Sequence, residues 1–318
     1  MARRRRIGKK LFNALLPILL MVVVATVIAL AFIVYGITRP PRQPYLVTPE
    51  SFAQISGSAL KVTDETWRNR DGSAARGWLL RGAEGAPAVV FLHRYGGDRS
   101  WLFNLGIKLN ENTNFTILWP DLRGHGLNPP VRATSFGAHE GDDLLAAVDF
   151  LHTVKGYSQS ALVGESVGAY GVELGAYSAL SAASRDTSIK VLVLDSVPRD
   201  PDELVNASVV GDVGVNNKIL LSLSRLATRA YFLGRYENKS SCDLAQTLKT
   251  QRILLLAGAD NNSLRESTAL LVHCFPEPAN VETKLDLSLT GFTLPSATGE
   301  QGESYDRPVI DFFNKNLH

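Results

Sequence analysis

Cysteine is scarce in this chain: 318 residues hold two, Cys242 and Cys274. Two thiols are too few for a zinc finger or ribbon, so a structural zinc site of that kind is excluded. They form either one pair, each flanking the same expected strand, or two separately buried thiols, and both alternatives stand. Charge is missing altogether between Leu11 and Thr38. A basic excess is missing from the rest: residues 1–10 carry six of the 33 Lys and Arg and no acid, leaving 27 bases against 31 acids. A mildly acidic body lacks the clustered base of a nucleic-acid footprint, and no nucleic-acid partner is expected. No internal repeat or low-complexity run follows Ser58.

What the first forty residues do contain is a nearly continuous apolar run, LLPILLMVVVATVIALAFIV. About 20 such residues span a bilayer core, so residues 11–38 are long enough for a transmembrane anchor. Asn13 and Pro17 fall near its start, where the interface tolerates them. Arg3, Arg4, Arg5, Arg6, Lys9 and Lys10 precede the run, and only Arg39 and Arg42 follow closely. This bias predicts a basic cytoplasmic tail over residues 1–10 and a single-pass membrane protein whose folded domain is extracytoplasmic. A cleaved signal peptide would have an apolar region of about 7–15 residues and a small-x-small site; here the run is longer and leads into the proline-rich Thr38–Pro44. Membrane lipid is therefore the expected partner of the N-terminal anchor.

Residues 39–58, with Pro40, Pro41, Pro44 and Pro49, read as a stiff, extended linker. Leu60–Arg68 and Ala75–Leu80, separated by Asn69-Arg70-Asp71-Gly72, predict a β-hairpin. Strands and helices then alternate. Strands are expected at Ala86–Leu92, Phe115–Pro120, Ala161–Val163, Ile189–Asp195, Arg252–Ala257 and Val281–Leu289. Helices are expected at Ser100–Leu109, Gly141–Val154, after Gly168 to about Ala183, at Asn262–Phe275 and at Tyr305–Leu317. This order predicts an α/β fold over residues 59–318, a mostly parallel sheet with helices on both faces. Residues 198–241, with a helical stretch near Lys218–Leu233, are too long for a simple crossover and read as a small cap.

One stretch carries a chemical signature. Gly164-Glu165-Ser166-Val167-Gly168 follows an apolar run and precedes a run rich in small residues. Gly-x-Ser-x-Gly is the spacing of a strand–turn–helix bend that projects a serine hydroxyl, the flanking glycines letting strand and helix approach. A plain glycine-bearing turn has the same appearance.

Taken with their order along the chain, these residues resemble the α/β-hydrolase superfamily, and within it the membrane-anchored or exported relatives of the serine aminopeptidase and dienelactone hydrolase groups. The likeness runs from Leu60 to the C-terminus and rests on FLHRYGGDRS (Phe91–Ser100), WPDLRGHGLN (Trp119–Asn128), GESVG, LLAGAD (Leu255–Asp260) and a closing helix. It implies Ser166 as nucleophile and the backbone amides of Val167 and Tyr95 as the oxyanion hole, each donor contributing about 3–4 kcal/mol. It implies Asp260 as the triad acid, with a cap for the helix starting near Asn262 as the alternative reading. No metal or organic cofactor is implied.

The resemblance breaks at the base. The histidine that should follow the acid, in the loop after the last strand, is missing from Leu289–Pro295. The weak candidates elsewhere are His139 and His273; His93, His125 and His152 read as structural, and His318 is terminal. Arg94 stands where the family has a glycine beside the hole. Two functions follow. One is a serine hydrolase of small esters, thioesters or amides, acting on a small-molecule acyl substrate through an acyl-Ser166 intermediate and impaired by the missing base. The other is a catalytically inactive binding or scaffold protein that keeps the pocket, with Arg94 facing an acidic group of a ligand.

Overall fold

Runs of β-branched and aliphatic residues that cannot face water on either side are driven into the middle of a sheet. In this computed structural model, which describes residues 2–56, 61–233, 236, 238–297 and 299–318, with side chains from residue 14, they form one eight-stranded sheet. The expected linker end at Ser58, domain start at residue 59 and strand start at Leu60 lie outside the described residues, as do the side chains of the basic tail. The strands are β1 (Val62–Arg68), β2 (Ala74–Leu80), β3 (Ala86–Leu92), β4 (Thr116–Pro120), β5 (Val163–Val172), β6 (Ile189–Asp195), β7 (Arg252–Gly258) and β8 (Val281–Leu287). Their order across the sheet is β1-β2-β4-β3-β5-β6-β7-β8. The β1–β2 hairpin and the β2–β4 pair are antiparallel, and every other pair is parallel.

The helices are α1 (Ala2–Ile37), α2 (Pro49–Ser56), α3 (Phe103–Thr113), α4 (Glu140–Thr153), α5 (Leu174–Ala183), α6 (Pro201–Val213), α7 (Lys218–Tyr231), α8 (Ser241–Ala245), α9 (Asn262–Leu271) and α10 (Gly299–Asn316). The chain divides into two compact units, Met1–Ile37 with Val205–Gly234, and Thr38–Leu204 with Arg235–His318. The second contains the whole sheet. Phe91, Phe103, Trp119, Tyr170 and Phe313 are among its largest fully buried side chains, and the Trp119 indole N–H is satisfied by Leu102 O at 3.1 Å. The first consists of α1, most of α6, and α7. The stretch expected as a cap, residues 198–241, is therefore split, and its long helix α7 groups with α1.

Two expectations are corrected here. The linker is no free spacer: Tyr45, Val47 and Phe52 pack on the core of the second unit, and the Tyr45 hydroxyl donates to Asp121 Oδ2 at 2.8 Å. Burying three apolar side chains outweighs the extended preference of the prolines around them. Nor does the chain turn at Gly164–Gly168. Between Val163 and Val167, β5 takes four steps while β3 takes two from Ala86 to Ala88, so Gly164, Glu165 and Ser166 form a bulge at the start of a strand that runs on to Val172. The residues from Val167 to Val172 are all small or apolar, and they continue the buried strand.

The cysteines are paired. Cys242 in α8 and Cys274 in the turn after α9 form a disulfide across 32 residues, flanking β7 as the sequence order allows. Closing a loop of that length is worth about 3–4 kcal/mol. The Cys242→Ser, Cys274→Ser double variant is expected to lose about that much stability in urea unfolding, and reductant is expected to shift the wild type but not the variant.

Candidate functional site

In an open parallel sheet, ligands are met at the carboxyl ends of the strands. At that end of β5 the chain reverses into α5 at a single residue, Glu173, with φ 50° and ψ −103°. A side chain held at positive φ costs on the order of 1–3 kcal/mol and persists only where its surroundings demand it. Gly171 and Gly175 supply that demand. A Cβ on Gly171 would stand 2.4 Å from the Gly175 carbonyl carbon, and one on Gly175 would stand 2.2 Å from Leu92 O. Gly171-Val172-Glu173-Leu174-Gly175 thus makes the sharp strand–turn–helix bend, with a carboxylate where a nucleophilic hydroxyl would be.

Ser166 is not at this bend. It is half-buried in the bulge at the opposite end of β5, seven residues upstream and about 20 Å away along an extended strand. Val167 likewise makes no oxyanion hole, because its N–H is spent on Ser188 O at 3.1 Å within the sheet.

Two backbone amides converge on Glu173. Tyr95, in the loop after β3, donates its backbone N–H to Glu173 Oε2 at 2.9 Å, and the backbone N–H of Leu174 also bonds the same carboxylate. The two amides that would receive a developing oxyanion hold the side chain of the bend residue instead. Burial pushes the Glu173 carboxyl up to about 7, against the opposing pull of the Arg94 guanidinium and these amides. Arg94 donates to Tyr95 O at 2.9 Å and lies over the rings of Trp101 and Phe292, 4.2 and 5.3 Å from their centroids. A carboxyl at the bend and a guanidinium packed on aromatic rings therefore lie near one another at this end of the sheet.

Asp260 sits between β7 and α9, and its Oδ2 accepts from Thr290 N at 3.1 Å, Thr290 Oγ1 at 2.7 Å and Thr293 Oγ1 at 3.0 Å. The loop that would deliver an imidazole to this acid delivers two threonines. The cap of α9 is Asn261, whose side chain accepts from Leu264 N, so the capping reading of Asp260 is also corrected. Nearby, buried Asp195 accepts from Gly291 N at 2.6 Å, Ser196 Oγ at 2.8 Å and the Tyr305 hydroxyl, which also meets Tyr170.

The imidazoles are placed otherwise. His93 shares its Nδ1 proton with Arg94 O at 2.8 Å and accepts from Leu122 N at Nε2, and His125 Nδ1 is bonded to Arg123 O at 2.8 Å. Burial lowers them to about 4 and about 3, so both are neutral braces. His139 immediately precedes α4, and His273 is exposed on the turn that carries Cys274. Among the described residues, no imidazole is hydrogen-bonded to Ser166, Glu173 or Asp260. Sequence reasoning missed Glu173 because it searched for a nucleophile; the glycine pair at 171 and 175 was the available signal, with the same spacing directly before the alanine-rich α5.

No protein-family model and no curated protein sequence matches the chain. Solved structures do. An esterase from Pyrococcus furiosus is similar over 89% of this chain and 99% of its own, at 21% identity and a TM-score of 0.66. An alpha/beta hydrolase from Penicillium covers 81% and 99%, at 16% identity and 0.58. The acylaminoacyl peptidase of Pyrococcus horikoshii is matched over 86% of this chain and 44% of that one, at 15% identity and 0.60. With the strand order described above, these likenesses show that the chain has the α/β-hydrolase fold.

The raised carboxyl of Glu173 has a measurable consequence. A folded pKa raised from 4.5 to about 7 contributes stability that is complete below the unfolded value and lost as pH rises through the folded one. The stability of wild type relative to Glu173→Gln is therefore expected to fall by about 3 kcal/mol between about pH 4 and pH 8 in denaturant titrations. A pH-independent difference would mean that the carboxylate is not desolvated in the hole.

Proposed function

We propose that this α/β-hydrolase-fold chain is a membrane-anchored, extracytoplasmic protein that binds or scaffolds rather than turning over a substrate. The observation that carries this reading is the Glu173 carboxylate at the bend, bonded by Tyr95 N–H and by the amide of Leu174. Acyl transfer needs a hydroxyl at that position, a base to take its proton and two free amides to receive the oxyanion. The first is a carboxylate, the second is replaced by Thr290 and Thr293 around Asp260, and the third are occupied. Losing a triad serine or histidine alone lowers turnover about a millionfold in a serine protease.

The serine-hydrolase reading through Ser166 draws support from the names of the structural neighbours, esterases and peptidases. It lacks support in position, since the serine lies at the amino end of its strand. A ligand held without bond cleavage is the partner this reading calls for.

The anchored, extracytoplasmic placement has separate support. Ala14–Ile37 is one helix long and apolar enough to cross a membrane, with mean hydropathy 3.0, and it is almost wholly uncovered, unlike a core helix. The Thr26 hydroxyl is satisfied within it by Val22 O at 2.8 Å, as a lipid environment requires. Basic residues crowd its N-terminal side, and the Cys242–Cys274 bond suits an oxidising compartment.

A fluorophosphonate probe tests the first half on the full-length, disulfide-intact protein. No adduct is expected on wild type, and none on Glu173→Ser, which restores a hydroxyl without a base. Labelling that Ser166→Ala abolishes would reinstate the enzyme. For the second half, a tag after His318 is expected to be digested by protease added outside intact cells; protection by the cytoplasmic membrane would reverse the orientation.

A further inference from the structure

The first unit contains a helix whose exposure runs against solubility. In α7 the small polar side chains Ser224 and Thr228 are buried, while Ile219 and Leu226 are 71% and 65% exposed. A helix facing water would turn the other way. On a helical projection at 100° per residue, Ile219, Leu223, Leu226 and Ala230 share one edge, and Lys218, Arg225 and Arg229 lie on an adjoining one. The stretch Val215–Leu233 has no Asp or Glu, and the one acid of residues 205–234 is Asp212. Tyr231, the last residue of α7, and Leu233 beyond it extend the apolar exposure.

The apolar edge borders the candidate membrane span. An open groove of about 540 Å³ is formed between the two helices, walled by Val27, Leu30 and Val34 of α1 and by Leu223, Leu226 and Ala230 of α7. From Val27 to Val34 the groove runs along about 10 Å of the C-terminal part of the candidate span, comparable to the depth to which interfacial helices bury their apolar faces. Asp212 comes beside Gly36, at the C-terminal end of that span.

We propose that α7 is a second membrane contact, an amphipathic helix lying in the bilayer surface beside the exit of α1, with Ile219, Leu223 and Leu226 among acyl chains and Lys218, Arg225 and Arg229 against anionic lipid headgroups. The inference rests on the reading of α1 as a membrane span and holds for either orientation of that span. Its occupant is lipid because the exposed edge continues the lipid-facing surface of α1, and because an apolar edge joined to an all-basic one is complementary to an anionic bilayer surface.

Single cysteines at Val23, Leu226 and Arg229 in the full-length protein test it, the native pair being oxidised and unreactive. Each is nitroxide-labelled, and the protein is reconstituted in phosphatidylcholine–phosphatidylglycerol vesicles, where collisions with oxygen and with a water-soluble nickel chelate are compared. Positions 23 and 226 are expected to be oxygen-accessible and nickel-shielded, with an oxygen-to-nickel ratio several-fold above that at 229. A lipid-like ratio at 23 with a water-like one at 226 overturns this inference and leaves the anchor intact. A water-like ratio at 23 overturns the anchor and this inference with it. Shielding of 226 from both reagents would mean that protein, a second copy or another chain, covers the edge, and would overturn it too.

Discussion

The geometry of the site depends on one residue held where side chains rarely go. At Glu173 the chain leaves β5 with a positive φ, and the bend closes only because neither Gly171 nor Gly175 carries a Cβ. The strain stays because the sheet on one side and α5 on the other are both buried, so relaxing the bend would cost core packing. Once the bend exists, its side chain must point into the space between the β3 loop and the start of α5, and whatever it carries meets the Tyr95 and Leu174 amides. A carboxylate there accepts from both amides, and it also feels the charge of Arg94, whose guanidinium lies over Trp101.

The polar groups around it follow the same logic of internal satisfaction. Asp260, which in a working triad would leave one oxygen for an imidazole, is bonded by the side chains of Thr290 and Thr293. Asp195, buried at the end of β6, is matched by Gly291 N, Ser196 and Tyr305. A buried carboxylate left without donors carries a desolvation penalty, which the donors around Asp260 and Asp195 offset. Both carboxylates are thus held by donors of the protein itself.

The first unit distributes its apolar surface differently. Apolar side chains from Leu15 to Tyr35 of α1 stand uncovered, as does one edge of α7. In water such surface would drive association; beside a bilayer it needs no further protein. The two units thus differ in where their apolar area goes, inward around Trp119 and Phe103 in one, outward in the other.

Much of this was determined by the chain's pattern alone. Continuous apolar runs at Ala86–Leu92 and Ile189–Asp195 are strands with those bounds, the alternation of runs and helical periods yields the parallel sheet, and the charge-free segment before Thr38 is one long helix. Periodicity and length are local properties, and local physics suffices to read them. The position of the bend was not local. GESVG and GVELG have equal claims as glycine-flanked turns, and only the pairing of β5 with β3 and β6, which carries the strand through Val167 to Val172, decides that the first is a bulge and the second the elbow. The same holds for the Tyr95 amide on Glu173, for the threonines on Asp260 and for the disulfide. Each is a meeting of residues far apart in sequence, specified by how strands are ordered and layers packed rather than by any stretch of the chain.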